Sequence, residues 1–168
     1  MSDFFRANLY IFILAIIFTI SGCNESDNTS RINSLNKASE QTQFGELTAY
    51  LESYLYVNDM PKGIPPGTPL ETLNKDFIAV VKINSIEDIK PDNNISNIYL
   101  YILQQDTIIW KSALTDEINE SNDKAIEITF RDGPSNLREQ TVDIVITFNY
   151  LGEEIMIKQK QLYISIAI

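Results

Sequence analysis

Apolar and polar side chains alternate along much of the second half of the chain. In TVDIVITFNY, residues 141–150, nearly every second position is apolar. Successive side chains of a β-strand point to opposite faces, so this pattern predicts a strand with one face in a core and the other mostly in water. The predicted core face consists of Val142, Ile144, Ile146, Phe148 and Tyr150. Such strands must bury their apolar face against other elements, which constrains the fold more than any other feature of the sequence.

Several other segments carry the same signal. AIEITF, residues 125–130, has Ile126, Ile128 and Phe130 on its predicted core face. The segments 77–84 and 97–103 are apolar on both faces, which is typical of central strands. Residues 47–58 are interpreted as the first strand, although the spacing of Leu47, Leu51 and Leu55 also fits a helix.

The last predicted strand, residues 154–167, changes phase partway along. Its apolar residues are Ile155 and Ile157 in one phase, and Leu162, Ile164 and Ile166 in the other. A period-two pattern changes phase only where an extra residue is inserted, so we predict a β-bulge or bend within residues 158–161. Gly152 precedes this strand and supplies the positive φ of a tight hairpin, so this strand should pair with residues 141–150.

The predicted strands are short and are separated by segments rich in turn-forming residues. The longest of these segments is proline-rich, and Thr68, Pro69 and Glu71 within it predict a single helical turn over residues 69–74. About seven short strands without a long helix resemble an immunoglobulin-like or transthyretin-like β-sandwich. The resemblance is architectural only, because the chain has no pair of cysteines. We therefore expect an all-β fold, a single antiparallel immunoglobulin-like β-sandwich over residues 46–168.

Charge and composition exclude several classes of function. With 13 Lys and Arg against 23 Asp and Glu, the net charge is −10, and such a surface repels nucleic acid. The chain has no histidine, so histidine-based catalytic triads and histidine–metal sites cannot form. No GxSxG or glycine-rich phosphate motif is present. We expect no enzymatic activity, no catalytic residues, no cofactor and no metal, although residues 116–123 carry oxygen ligands of the kind that calcium accepts, without EF-hand spacing.

The N-terminal segment has the features of a secretory signal. Residues 9–20 form an almost unbroken apolar run of 12 residues that follows Arg6. This run is too short to cross a bilayer core, which needs about 20 residues, and it matches the hydrophobic region of a signal peptide. Ile20, Ser21 and Gly22 then precede Cys23, and this arrangement resembles the lipobox of bacterial lipoproteins. The resemblance implies that residues 1–22 are removed and that lipid attached to Cys23 anchors the chain to a membrane.

The residues after Cys23 indicate where the anchored protein lies. Asn24 occupies the position at which an aspartate would resemble the inner-membrane retention signal of some Gram-negative bacteria. We therefore expect an outer-membrane location, with the periplasmic side and the cell surface both open. Residues 24–45 are mostly polar and are predicted to form a flexible linker. A coil of about 22 residues has a reach of ~25 Å, which is enough to hold a domain clear of the lipid headgroups.

Aromatic residues on the predicted strands form the candidate ligand platform. Tyr99 and Tyr101 share one face of a strand, Tyr54 and Tyr56 share a face of another, and Trp110 lies on the strand after Tyr101. Aromatic rings stack on sugars and pack in protein interfaces, although tyrosine is also common at half-buried strand positions for packing alone. We expect a binding module for a glycan or a protein. The alternative is a structural subunit of an envelope-spanning assembly such as a secretion apparatus.

A short motif that follows the predicted strand at residues 97–103 suggests a modification. Asp106, Thr107 and Ile108 resemble a short O-glycosylation sequon of some Gram-negative envelope proteins. The resemblance implies a sugar on the Thr107 hydroxyl.

Overall fold

The computed structural model of the protein describes residues 23–59, 76–87, 94–114 and 125–167. These residues form one α-helix, α1 (Cys23–Lys37), and eight β-strands, so the fold is all-β as the alternation predicted. The strands are β1 (Gln41–Phe44), β2 (Leu47–Asn58), β3 (Asp76–Ser85), β4 (Ile95–Gln104), β5 (Thr107–Ala113), β6 (Ala125–Gly133), β7 (Thr141–Tyr150) and β8 (Glu153–Ala167). The signal peptide and lipobox residues 1–22, the helical turn predicted at 69–74 and the acidic segment 116–123 lie outside the described residues.

The segment expected to be a flexible linker contains α1 and β1. The helix ends where the chain divides into two compact units, Met1–Lys37 and Ala38–Ile168, and Lys37 in its last turn carries the charge that a helix C-terminus favours. The strand β1 pairs with the start of β2 and buries Phe44. Its formation depends on that pairing, which local polarity does not reveal. Within the described residues, no helix has the length and apolar character needed to cross a membrane.

The strands of the second unit form a curled, mixed sheet. Its order is β5-β4-β7-β8-β2-β3-β6, with β1 paired to β2. The pairings along this path are antiparallel except that between β2 and β8, which is parallel. The antiparallel arrangement predicted from the sequence is therefore wrong at this one pairing, because β2 and β8 are far apart in the chain and no hairpin dictates their direction.

The core lies on the inner face of this curled sheet, and the predicted strand faces are confirmed. On β7, Val142, Ile144, Ile146 and Phe148 all lie in the buried cluster, together with Ile126, Ile128 and Phe130 of β6. The expectation that the other face of β7 is mostly in water is wrong, because Val145 and Thr147 on that face are fully buried. By register Val145 lies between Tyr101 of β4 and Lys158 of β8, so its neighbours on both sides are bulky residues.

The phase change in β8 is caused by a β-bulge, as predicted. Val142 of β7 pairs with Leu162, but Ile144 pairs with Gln159, so β8 contains one extra residue opposite Asp143. Gln161 takes up the extra length with a φ of 57°. β8 pairs with β7 on both sides of the bulge, and its last residues pair with β2. The bulge thus allows one strand to continue from one part of the sheet into another.

The Asp143 carboxylate holds the bulge in place. Its Oδ1 accepts a hydrogen bond from the Gln161 N–H at 3.0 Å, and its Oδ2 lies 2.9 Å from the Nζ of Lys158. The Lys158 side chain is only 4% exposed, whereas that of Asp143 is 30% exposed. A buried ammonium group therefore depends on a carboxylate that water reaches only in part.

Two-residue turns join β7 to β8 and β4 to β5. Leu151 and Gly152 between β7 and β8 have φ values of 50° and 90°, which confirms the predicted role of Gly152 and matches the type I′ turns typical of tight hairpins. Gln105 and Asp106 between β4 and β5 also have positive φ, at 49° and 62°. The twist of these turns matches that of the strands they join.

One carboxylate links the start of β2 to the end of β3. The Glu87 side chain accepts hydrogen bonds from the Thr48 N–H at 2.9 Å and from the Ser85 hydroxyl at 2.8 Å. These bonds lower the pKa of Glu87 to about 2, and the bond from Thr48 has the largest effect. The Glu87 side chain is exposed, so it connects β2 to β3 at the surface and is not part of the core.

Candidate binding surfaces

The five aromatic residues proposed as one ligand platform occupy three separate places. Tyr99 and Tyr101 lie on the outer face of β4, Tyr54 and Tyr56 lie on the outer face of β2, and Trp110 lies on the inner side of β5. The strands β7 and β8 separate β4 from β2 in the sheet order. The fold therefore does not bring the predicted residues together into one platform.

The tyrosine pair on β4 is poorly placed to contact a ligand. The ring centroids of Tyr99 and Tyr101 are 6.5 Å apart, and the Lys111 ammonium lies 4.6 Å from the first centroid and 5.3 Å from the second. Tyr101 is only 3% exposed. The pair thus forms a cation–π cluster, and the burial of Tyr101 gives it a packing role.

The exposed aromatic surface lies instead on β2 and β8. Among the described residues, the exposed aromatic side chains are Tyr50 at 37%, Tyr54 at 54% and Tyr163 at 58%. Tyr50, Tyr54 and the half-buried Tyr56 share the outer face of β2, because the alternate positions of that strand are buried. The parallel register, which pairs Leu55 with Ile164, places Tyr163 beside Tyr54. We call these four tyrosines the outer tyrosine face.

Two members of the outer tyrosine face were missed in the sequence analysis. Tyr50 is in phase with Tyr54, so the period-two pattern of β2 could have revealed it. Tyr163 could not be found this way, because its position depends on the parallel pairing of β8 with β2.

Charged side chains surround the centre of the outer tyrosine face. The Tyr54 hydroxyl donates a hydrogen bond of 2.9 Å to Glu52, and this bond raises the pKa of Tyr54 above its ordinary value. The Lys82 ammonium lies 5.9 Å from the Tyr54 ring centroid and 3.4 Å from a carboxylate oxygen of Glu127. The face therefore presents hydroxyl groups and aromatic rings, which suit stacking and hydrogen bonding.

Trp110 lies in a different setting, at the gap between the two edge strands. Its ring packs edge-on against Phe77, with centroids 5.4 Å apart. A cleft of about 340 Å³ opens beside it and is lined by Trp110, Ser112, Ala113, Leu114, Thr129, Phe130, Arg131 and Asp132. We call this the seam cleft, because β5 and β6 are the two ends of the sheet order.

The sequon-like triplet lies at the turn between β4 and β5. Asp106 is the second residue of the two-residue turn, and Thr107 is the first residue of β5. Thr107 is exposed, and its hydroxyl lies 3.5 Å from the Gln105 carbonyl oxygen. The hydroxyl is therefore accessible from solvent at the tip of a hairpin.

Neither a metal site nor a similarity to known proteins identifies the function from the described residues. In residues 23–59, 76–87, 94–114 and 125–167, no group of three or more acidic or cysteine side chains could hold a metal ion. No protein-family model matches the chain, and no curated protein or solved structure is significantly similar to it. The function of this protein must therefore be inferred from its own surfaces.

Proposed function

We propose that this chain is a lipid-anchored protein of the bacterial outer membrane whose β-rich domain binds a glycan or protein ligand without catalysis. The anchor is supported by the run of Ile20, Ser21, Gly22 and Cys23 after a short apolar segment. The binding role is carried by one observation, the clustering of the exposed aromatic side chains on the outer tyrosine face. Tyrosine is enriched at the centres of protein interfaces, where its ring excludes water and its hydroxyl bonds.

The lipid anchor is tested by labelling. Cells that express the full chain with a C-terminal tag are fed an alkyne fatty acid, and the tagged protein is probed for the label. We expect the wild type to be labelled and to fractionate with outer membranes, and Cys23→Ala to lose both properties. A labelled Cys23→Ala protein would contradict the anchor. Protease treatment of intact cells that express the wild type distinguishes a periplasmic from a surface-exposed domain.

We also propose that the curled sheet is an immunoglobulin-like β-sandwich, with β1, β2, β3 and β6 in one layer and β5, β4, β7 and β8 in the other. Two ring contacts support two packed layers. Phe77 of β3 lies 5.4 Å from Trp110 of β5, and Phe44 of β1 lies 5.3 Å from Phe148 of β7. A nuclear Overhauser effect between the Phe77 and Trp110 rings in the full chain is the expected observation, and its absence would count against the two-layer arrangement.

Binding at the outer tyrosine face is tested with the full chain in a detergent that has no sugar headgroup. A glycan array is probed in parallel with photo-cross-linking in living cells. We expect the double variant Tyr54→Ala and Tyr163→Ala to lose the ligand that the wild type recognises. Tyr99→Ala, which removes a tyrosine on β4, serves as the matched control and should retain it. Unchanged affinity of the double variant for every ligand that the wild type recognises would exclude this face, and no signal in either assay would contradict the binding function.

A further inference from the structure

Where β5 and β6 approach most closely, the gap between them is too narrow for a third strand. Cα atoms of β5 and β6 come within 8 Å of each other. Inserting a strand between them would require two hydrogen-bonding spacings, or roughly 9.5 Å. The volume of about 340 Å³ lies at the lower end of the range of roughly 300–1,000 Å³ typical of small-molecule pockets. The dimensions therefore favour a compact ligand over an extended peptide.

The walls of the seam cleft combine an aromatic ring with groups of both hydrogen-bonding types. The half-buried Trp110 is held by its edge-on contact with Phe77, so its position in the cleft does not depend on a ligand. Ser112 and Thr129 contribute hydroxyl groups, which both donate and accept. The exposed Arg131 and Asp132 contribute a guanidinium, which only donates, and a carboxylate, which accepts.

The charges in the cleft also limit its ligand. Arg131 and Asp132 are adjacent and of opposite sign, so their formal charges cancel. The chain as a whole has a net charge of −10, which disfavours the approach of an anion. A neutral ring bearing many hydroxyl groups fits this set, because its apolar face can lie against an indole while its hydroxyls meet donors and acceptors around the rim.

We infer that the seam cleft binds a single unit of a neutral saccharide against Trp110, with Arg131 and Asp132 bonding its hydroxyl groups. This inference goes beyond the proposed function, because it names a ligand class for a second surface that is separate from the outer tyrosine face. A monosaccharide of about a dozen non-hydrogen atoms is expected to bind with a dissociation constant on the order of a millimolar, since drug-sized ligands gain only a few tenths of a kcal/mol per atom.

Trp110 makes the test direct, because the chain contains one tryptophan. The full chain in a sugar-free detergent is titrated with glucose, galactose, mannose, N-acetylglucosamine and their β-linked disaccharides, while tryptophan emission is recorded. We expect a saturable change in emission with at least one of these sugars. Arg131→Ala and Asp132→Asn should each weaken that binding at least fivefold. Asparagine is chosen because Asp132 has a φ of 61°, a conformation that asparagine tolerates.

Matched controls distinguish binding in the cleft from binding elsewhere on the chain. Arg138→Ala removes an exposed arginine that pairs with Asp59, outside the cleft, and should leave the titration unchanged. Circular dichroism checks that each variant is folded. Flat titrations with every sugar would overturn the inference, as would binding that Arg131→Ala and Asp132→Asn leave unchanged. Glycan binding that is lost only in the Tyr54→Ala and Tyr163→Ala variant would overturn the cleft as the site and leave the proposed function intact.

Discussion

Replacing Asp143 by alanine tests whether the β8 bulge is stabilised by the buried ion pair. At 2.9 Å from Lys158, the Coulomb attraction is about 6 kcal/mol at an effective dielectric constant of about 20, and desolvation of the ammonium offsets much of it. Removing one partner of a fully buried pair costs about 3–5 kcal/mol. Because the Asp143 side chain is 30% exposed, we expect the lower end, about 3 kcal/mol, with the lost hydrogen bond to Gln161 included. For a urea m-value of about 2 kcal/mol/M, the unfolding midpoint should fall by about 1.5 M.

Two further variants identify the cause of that loss. Asp143→Ala combined with Lys158→Met removes both charges and should recover much of the stability, because the uncompensated ammonium is the main cost. Glu40→Ala breaks the 2.7 Å pair with Lys160, whose side chains are 51% and 59% exposed, and should leave the midpoint unchanged. An Asp143→Ala midpoint within about 0.3 M of the wild type, or a double variant no more stable than Asp143→Ala, would refute the reasoning.

Three other perturbations have outcomes that follow from single observations. The pKa of Glu87 is lowered to about 2. The stability that ionised Glu87 contributes is therefore present above its unfolded pKa and is lost as pH falls towards about 2. In thermal melts at about pH 5 and about pH 2.5, Glu87→Gln should lose less stability on acidification than the wild type. A Cβ on Gly133 would lie 2.2 Å from the Cδ1 of Phe77. Gly133→Ala should therefore lower the free energy of unfolding in urea by about 1–3 kcal/mol. An unchanged unfolding midpoint would show that the Phe77 ring can move aside. If Thr107 carries a sugar, intact-protein mass spectrometry of the chain from its native host should show added hexose mass that Thr107→Ala removes. Identical masses after correction for the substitution would exclude a sugar on Thr107.

Period-two patterns in the sequence predicted which strands form and which of their faces meet the core, because these properties depend on neighbouring residues. They did not predict the burial of Val145 on the outer face, since that burial depends on residues distant in the chain. For the same reason Tyr50 was accessible to prediction from its phase with Tyr54, whereas Tyr163 was not. Sequence alternation therefore identifies inner faces more reliably than it identifies exposed ones.

The bulge connects the folding of β8 to the surface on which the binding proposal depends. Before it, the odd-numbered Ile155 and Ile157 face the core, and a regular strand would continue by turning Tyr163 inward as well. The extra residue at Gln161 reverses the phase, so Ile164 becomes buried and Tyr163 becomes 58% exposed. The parallel pairing with β2 then sets Tyr163 beside Tyr54. One inserted residue thus explains both how β8 joins two parts of the sheet and why two tyrosines from opposite ends of the domain share one face.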